Sequence, residues 1–247
     1  MRAISIFAAA IFAVGAQVTA TPAEAQAQRA FPSYSEIALR PGNIFPKWQL
    51  VSQRLGEEAG AVERCMVAGD CGSEAAEEIA SELQDLSSAP RLEQAEAVHR
   101  LMNARPYRED RRQFGRNDVW QTPFAFWQQG GDCEDYAIAK YMALRVLGFS
   151  EDQLRLTVMT SRSRGEVHAV LLVEVDGAWH VADNLRRGLR RLDGYDGWTP
   201  IYSVSDAGAW RYVAEPSAAG QKVASAEPAP EPEPAAPVPA RDGRTRL

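Results

Sequence analysis

The chain has 247 residues, with 27 lysines and arginines against 33 aspartates and glutamates, for a net charge of −6. That balance argues against a nucleic-acid binder, which would carry a basic excess or patch. Apolar residues at 45 % and aromatics at 9 % are enough for a packed core of ordinary density.

The N-terminus is the first recognisable segment. Arg2 precedes an apolar run from Ala3 to Ala16, and Ala23-Glu24-Ala25 and Ala25-Gln26-Ala27 follow as A-x-A patterns. A charged start, a short apolar run and small residues at a cleavage site predict a signal peptide over residues 1–25. An uncleaved anchor is the competing reading, but a span needs about 20 apolar residues and this run is shorter. No other stretch comes close, so the exported protein is not expected to be an integral membrane protein. At the other end, residues 214–247 are rich in Pro, Ala and Glu and carry no aromatic side chain, which predicts a disordered, locally polyproline-like tail. A solvated tail without a role, a spacer and a docking segment remain open for it. Residues 30–213 are left as one domain.

Within that domain the first half reads as helical. Trp48, Val51 and Leu55 recur at helical spacing, and Ser73 caps a second helix through Ile79 and Leu83. Cys65 and Cys71 face each other across the glycine-rich turn between these two helices. In an exported protein an even pair bonds and an odd cysteine is left over. A Cys65–Cys71 disulfide would contribute about 2 to 2.5 kcal/mol, leaving Cys133 as the unpaired thiol. Pro90 opens a third helix whose stripe is Leu92, Ala95, His99 and Met102, so His99 is expected on a buried or half-buried face. Thr122-Pro123 starts a short helix that Gly130-Gly131 ends.

The next helix carries the chemistry. Asp132 caps it, Glu134 and Asp135 sit in its first turn, and Ala137, Tyr141, Leu144 and Leu147 give it an apolar face that Gly148 closes. Cys133 therefore stands at a helix N-terminus, where the dipole and free N–H groups favour a thiolate. An inert buried cysteine is the bland alternative.

Strands follow, with Leu154, Leu156 and Val158 alternating and apolar runs at Val167–Val175 and Ala178–Asp183. The Asp176-Gly177 pair between these runs is the strongest short hairpin signal. Helices followed by antiparallel strands mean α+β, a helical N-terminal half packed on an antiparallel sheet. A two-residue turn pairs Val175 with Ala178 and puts Asp183 opposite Val170. His168, two residues from Val170, is then a same-face diagonal neighbour of Asp183 at about 7–8 Å between backbones. His180 falls opposite Val173 on the other face, and a one-residue slip would reverse both assignments. An unpaired Cys133, His168 and Asp183 would supply a nucleophile, its base and the group that orients the base. A surface His–Asp pair is the alternative, and the run Arg186, Arg187, Arg190, Arg191 reads as a solvated loop or a contact for an acidic partner.

The stretch NDVWQTPFAFWQQGGDCEDYAIAKYMALRVLGF, followed by HAVLLVEVDGAWHVADNL, resembles the bacterial transglutaminase-like cysteine proteinases of the LapG type. The resemblance implies a papain-like, transglutaminase-like fold with Cys133, His168 and Asp183 as its triad. It also implies a periplasmic, calcium-dependent endopeptidase that cuts a large repeat adhesin and answers to an inner-membrane inhibitory receptor. Its calcium ligands map onto Asp132 and Glu134, with Asp135 as a third. A physical reason exists: carboxylates this close to a thiol raise its pKa, and bound Ca²⁺ would reverse that. A plain helix cap with dipole-matching acids is the alternative. By analogy with transglutaminases the indole N–H of Trp120 would join the Cys133 backbone N–H at the oxyanion, although Trp120 could equally be core packing. Acyl transfer to an amine, as in a transglutaminase or amidase, and a non-catalytic binding module on the same fold both remain open.

Overall fold

The computed structural model describes residues 29–39 and 45–216. The expected signal peptide at 1–25 and the tail beyond 216 lie outside the described residues. A compact unit ends at Ala214, one residue past the end expected for the domain.

The described chain begins with a strand, β1 (Tyr34–Leu39), ahead of any helix. Nothing local marks it: apolar and polar residues are mixed on both of its faces. Its pairing comes from the far end of the chain, where it lies antiparallel to Gly208–Ala214. The helical half follows as foreseen. Helix α1 (Pro46–Ala68) starts on a proline, buries Trp48, Val51, Leu55, Ala59 and Val62, and stops at Gly69, whose φ of 70° favours glycine. Ser73 caps α2 (Glu74–Gln84) by accepting from the Ala76 N–H at 3.2 Å. Cys65 and Cys71 are joined by a disulfide across the intervening turn, and Cys133 is the free cysteine. Helix α3 (Arg91–Asn103) buries Ala95, Val98, His99 and Met102. Leu92, expected on the same stripe, is 41 % exposed, while Gln94 in the same turn is buried. A five-residue helix α4 (Asp110–Phe114), unannounced by any periodicity, precedes α5 (Pro123–Gln129) and α6 (Cys133–Val146).

The second half supplies β2 (Leu154–Ser161), β3 (Val167–Val175), β4 (Ala178–Ala182), β5 (Arg190–Arg191), β6 (Trp198–Ser205) and β7 (Gly208–Ala214). They form one antiparallel sheet with β1, in the order β1-β7-β6-β2-β3-β4-β5. Helices packed on this sheet make an α+β fold. Asp176 and Gly177 turn the β3–β4 hairpin with φ of 52° and 78°, and Val175 pairs with Ala178 as the two-residue turn requires.

Parity then divides the sheet. Ala169, Leu171, Val173 and Val175 join the main core under the helices. Val170, Leu172, Val181 and Met159 form a smaller core on the other face with Ala30 and Leu192, against Phe31, Trp179, Tyr195 and Trp198. On the sheet's flank, Arg155 Nη1 bonds both Glu36 oxygens at 2.9 Å, tying β2 to β1. Its guanidinium also lies over the rings of Trp179 and Trp210.

Helix α6 was expected to be amphipathic and is instead buried all round from Glu134 to Leu144. Strands β2 and β3 cover it on one side, and α1, α3 and α5 on the others. None of the helices among the described residues is long and apolar enough to cross a membrane.

Candidate active site

The approach to α6 is built around one buried carboxylate. Asp135 accepts the Gln121 backbone N–H at 2.8 Å and the Gln121 side-chain amide at 2.6 Å, and it reaches back to the Asp132 N–H at 3.2 Å. The same Gln121 amide donates to the Gly130 carbonyl. Gly131 passes so close to this cluster that a Cβ there would collide with Asp135 and Gln121. Residues 130–132 are thus clamped, and the first residue of the helix, Cys133, is presented in a fixed direction.

Its Sγ lies 3.2 Å from Glu134 Oε2. Burial pushes the thiol pKa up, and the Glu134 and Asp132 carboxylates add to the rise; an N–H from Ala169 opposes it. The acids respond in kind. Burial, and then the neighbouring Asp132, hold the Glu134 carboxyl well above its usual range, and burial shifts Asp132 upward. Asp135 rises to about 7, again through burial, with the Gln121 donors opposing. Single ligand atoms of Asp132, Cys133 and Glu134 lie within 4.8 Å of one another, and so do those of Asp110, Asp132 and Asp135. One oxygen each of Asp110 and Asp132 is buried with no hydrogen-bond partner.

On the sheet, His168 Nε2 and Asp183 Oδ1 meet at 2.7 Å, as the hairpin register requires. Asp183 also accepts the Leu185 N–H at 2.9 Å and the Tyr195 hydroxyl at 2.7 Å, with Arg186 Nε 3.8 Å away. Burial alone would raise its pKa, but these donors, His168 foremost, bring it below the ordinary value. An ionised carboxylate only accepts, so Nε2 carries the proton of the neutral ring and Nδ1 is the basic nitrogen. The imidazole packs against Trp198 with centroids 5.3 Å apart, and Tyr195 stacks on that indole.

Cys133 and His168 line the same cleft, of ≈ 380 Å³, together with Tyr107, Trp120, Asp132 and Glu134. Trp120 is therefore at the site, but its indole N–H is given to Asp118 Oδ1 at 3.0 Å. His180 stays apart, bonded to the Ala178 carbonyl of its own strand. His99 lies beneath the site, bonded to the Arg186 carbonyl at 3.0 Å. Of the arginine run, Arg191 pairs with Asp193, and Arg190 and Arg191 form the short edge strand. Tyr195, Trp198 and Asp118 were not foreseen. The two aromatics arrive from beyond β5, on a path that no local pattern encodes. A second cleft of ≈ 340 Å³ lies against the other side of Tyr195 and Trp198, with Phe31 and Trp179, and contains neither the thiol nor His168.

The chain as a whole is similar to known proteins. The model of a family described as bacterial transglutaminase-like cysteine proteinase matches residues 58–218. Legionella pneumophila LapG is similar at 25 % identity and a TM-score of 0.52, over 62 % of this chain and 87 % of that one. Its EGTA-treated form gives the same identity and score over 62 % and 84 %. Its calcium-bound form matches at 24 % identity and a TM-score of 0.51, over 70 % and 98 %. Comparison with curated proteins gives no match.

Proposed function

The chain belongs to the bacterial transglutaminase-like cysteine proteinases, and on that footing we propose that it is a calcium-dependent endopeptidase working through Cys133, His168 and Asp183. A cysteine proteinase acts on protein. The substrate proposed here is a large exported repeat adhesin, met in the periplasm after removal of residues 1–25, with an inner-membrane receptor as the inhibitory partner. The working domain proposed is 30–213.

The observation that carries the reading is that His168, held at 2.7 Å by the buried Asp183, lines the same cleft as a free thiol at a helix start. His168 Nδ1 takes the thiol proton, and Cys133 Sγ attacks the substrate carbonyl. The protonated imidazole then gives its proton to the leaving amine as the peptide C–N bond breaks. Water attacks the thioester with His168 as base, releasing the acid and regenerating the thiol. Asp183 stabilises the imidazolium and keeps Nε2–H turned away from the sulfur. The Cys133 N–H, at the first helical position, has no helical partner and is free for the oxyanion. Trp120 would have to leave Asp118 before it could help.

Calcium is tested by the donor set. Asp132 and Glu134 are oxygen ligands of the kind a hard cation selects, and the buried, unpartnered Asp132 oxygen and the upward-shifted carboxyls fit a cation at this place. Asp135, proposed as the third ligand, groups with Asp132 and Asp110 instead of Glu134, and its oxygens already hold Gln121 and the Asp132 N–H. When bound, Ca²⁺ neutralises the carboxylates that otherwise oppose ionisation of the thiol.

The test is co-expression with an adhesin N-terminal region. Cys133→Ala should abolish cleavage with the fold intact, EGTA should stop the wild-type enzyme, and added Ca²⁺ should restore it. Cleavage by the alanine variant would remove the triad reading, and indifference to EGTA would reduce the acids to a helix cap.

A further inference from the structure

One buried charge near the site is not used by this mechanism. Lys140 sits on α6 about two turns beyond Cys133 and is 1 % exposed. Its ammonium donates to the Ala182 carbonyl at 3.1 Å, one residue before Asp183, and lies 5.7 Å from the Tyr136 ring centroid. We infer that Lys140 is a positioning residue of the triad: from the helix that carries Cys133 it grips the strand end that carries Asp183 and sets a positive charge behind that carboxylate. The inference rests on the triad reading above.

The burial is costly, because a desolvated ammonium with a single carbonyl partner is far from satisfied. A methionine of similar length would fill the space without that penalty. What the charge adds lies in its neighbours. The groups facing Asp183 from the sheet and loop are His168, Tyr195 and Arg186, the last partly exposed and 3.8 Å away. From the helices come Lys140 and His99. His99 is pushed down to about 4, by burial first and then by Lys140, so it is neutral in the working range. It serves as a donor to the Arg186 carbonyl, which Asn103 also holds at 3.0 Å.

Both flanks of Asp183 are therefore held by helical side chains, and Lys140 brings the only charge among them. Burial lowers the Lys140 pKa to about 7 and Asp183 opposes the fall, so the ammonium is charged below neutrality, including pH 6, and about half charged at neutrality. A cation there favours the ionised Asp183, which can only accept from His168 and so fixes the imidazole tautomer. It also ties the nucleophile's helix to the acid's strand through one bond.

The test uses the full chain loaded with calcium and measures the second-order rate of Cys133 alkylation by iodoacetamide from pH 5 to 9, with Tm alongside. Lys140→Met should keep or raise Tm while slowing alkylation at pH 6 about tenfold, with the acid limb of the profile displaced about one pH unit upward. A packing residue would instead lose stability and leave the rate of the folded fraction unchanged. Asp183→Asn is measured in parallel. If it slows alkylation and folded Lys140→Met does not, the lysine is filler and the inference fails while the triad stands. If neither slows it, the triad reading itself has failed. Should the methionine variant not fold, the same criterion passes to Lys140→Gln. If neither variant folds, Lys140 is a folding residue and the inference is overturned.

Discussion

Asp183→Asn isolates the charge of the orienting acid with almost no change of shape. In the native site one oxygen accepts the His168 Nε2–H at 2.7 Å and the Leu185 N–H at 2.9 Å, and the other accepts the Tyr195 hydroxyl at 2.7 Å. Asparagine keeps the first oxygen, so His168 and Leu185 retain an acceptor, but two charge-assisted bonds become neutral ones at about 1 kcal/mol each. Its NH₂ then faces the Tyr195 hydroxyl, which must rotate from donor to acceptor. Together these losses amount to about 2–3 kcal/mol. Borne by the imidazolium, they slow the thiol chemistry roughly a hundredfold. The assay is Cys133 alkylation at pH 6, with circular dichroism to verify the fold. Acid unfolding gives a second reading. The folded Asp183 pKa is depressed, so its contribution to stability is present above the ordinary carboxylate value and lost as pH falls through the lower folded one. The variant's Tm should therefore depend less on pH below about 4. A folded Asp183→Asn protein that alkylates at the native rate, with the native slope of Tm against pH, would refute the reasoning.

Other expectations follow from the scaffold. Glu36→Ala strands the Arg155 guanidinium on the flank of the sheet and should cost about 3 kcal/mol in urea unfolding, with Glu36→Ala/Arg155→Met recovering part of it; a loss below about 0.5 kcal/mol would mean the pair is solvated. Gly131→Ala drives a methyl into Asp135 and Gln121; it should lower stability by about 1–3 kcal/mol and abolish cleavage, and a fully active variant would show that the clamp before Cys133 does not matter. Cys65→Ser/Cys71→Ser should lose about 2 kcal/mol of stability and keep its cleavage rate when assayed well below its Tm, since the bond lies between α1 and α2; a changed rate would tie that turn to the site.

Much of the site could be read from the sequence because it depends on local rules. The Asp-Gly turn fixed a register, the register fixed parity, and parity brought His168 to Asp183 while sending His180 elsewhere. Cys133 followed from an odd cysteine count and a helix start. What escaped depends on distant chain. Strand β1 has no pattern of its own and exists through β7. Tyr195 and Trp198 reach the imidazole only after the chain has passed the short edge strand β5. Lys140 looks like one polar residue on an ordinary amphipathic helix until the packing encloses every side of α6. The Asp118 carboxylate that takes the Trp120 indole is two residues away in sequence, yet nothing there announces that side-chain bond.

The thiol rides on the helical layer, whereas its base and acid ride on the sheet. Reactivity is thus a gauge of how the two slabs are seated. A slip of about 1 Å between them can cost a hundredfold in rate, without any change to a reacting residue. Cavity-making substitutions at the seam, such as Ile138→Ala or Leu171→Ala, should accordingly dim catalysis well before the protein melts, and a ligand wedged into that seam would act as an inhibitor without ever approaching the sulfur.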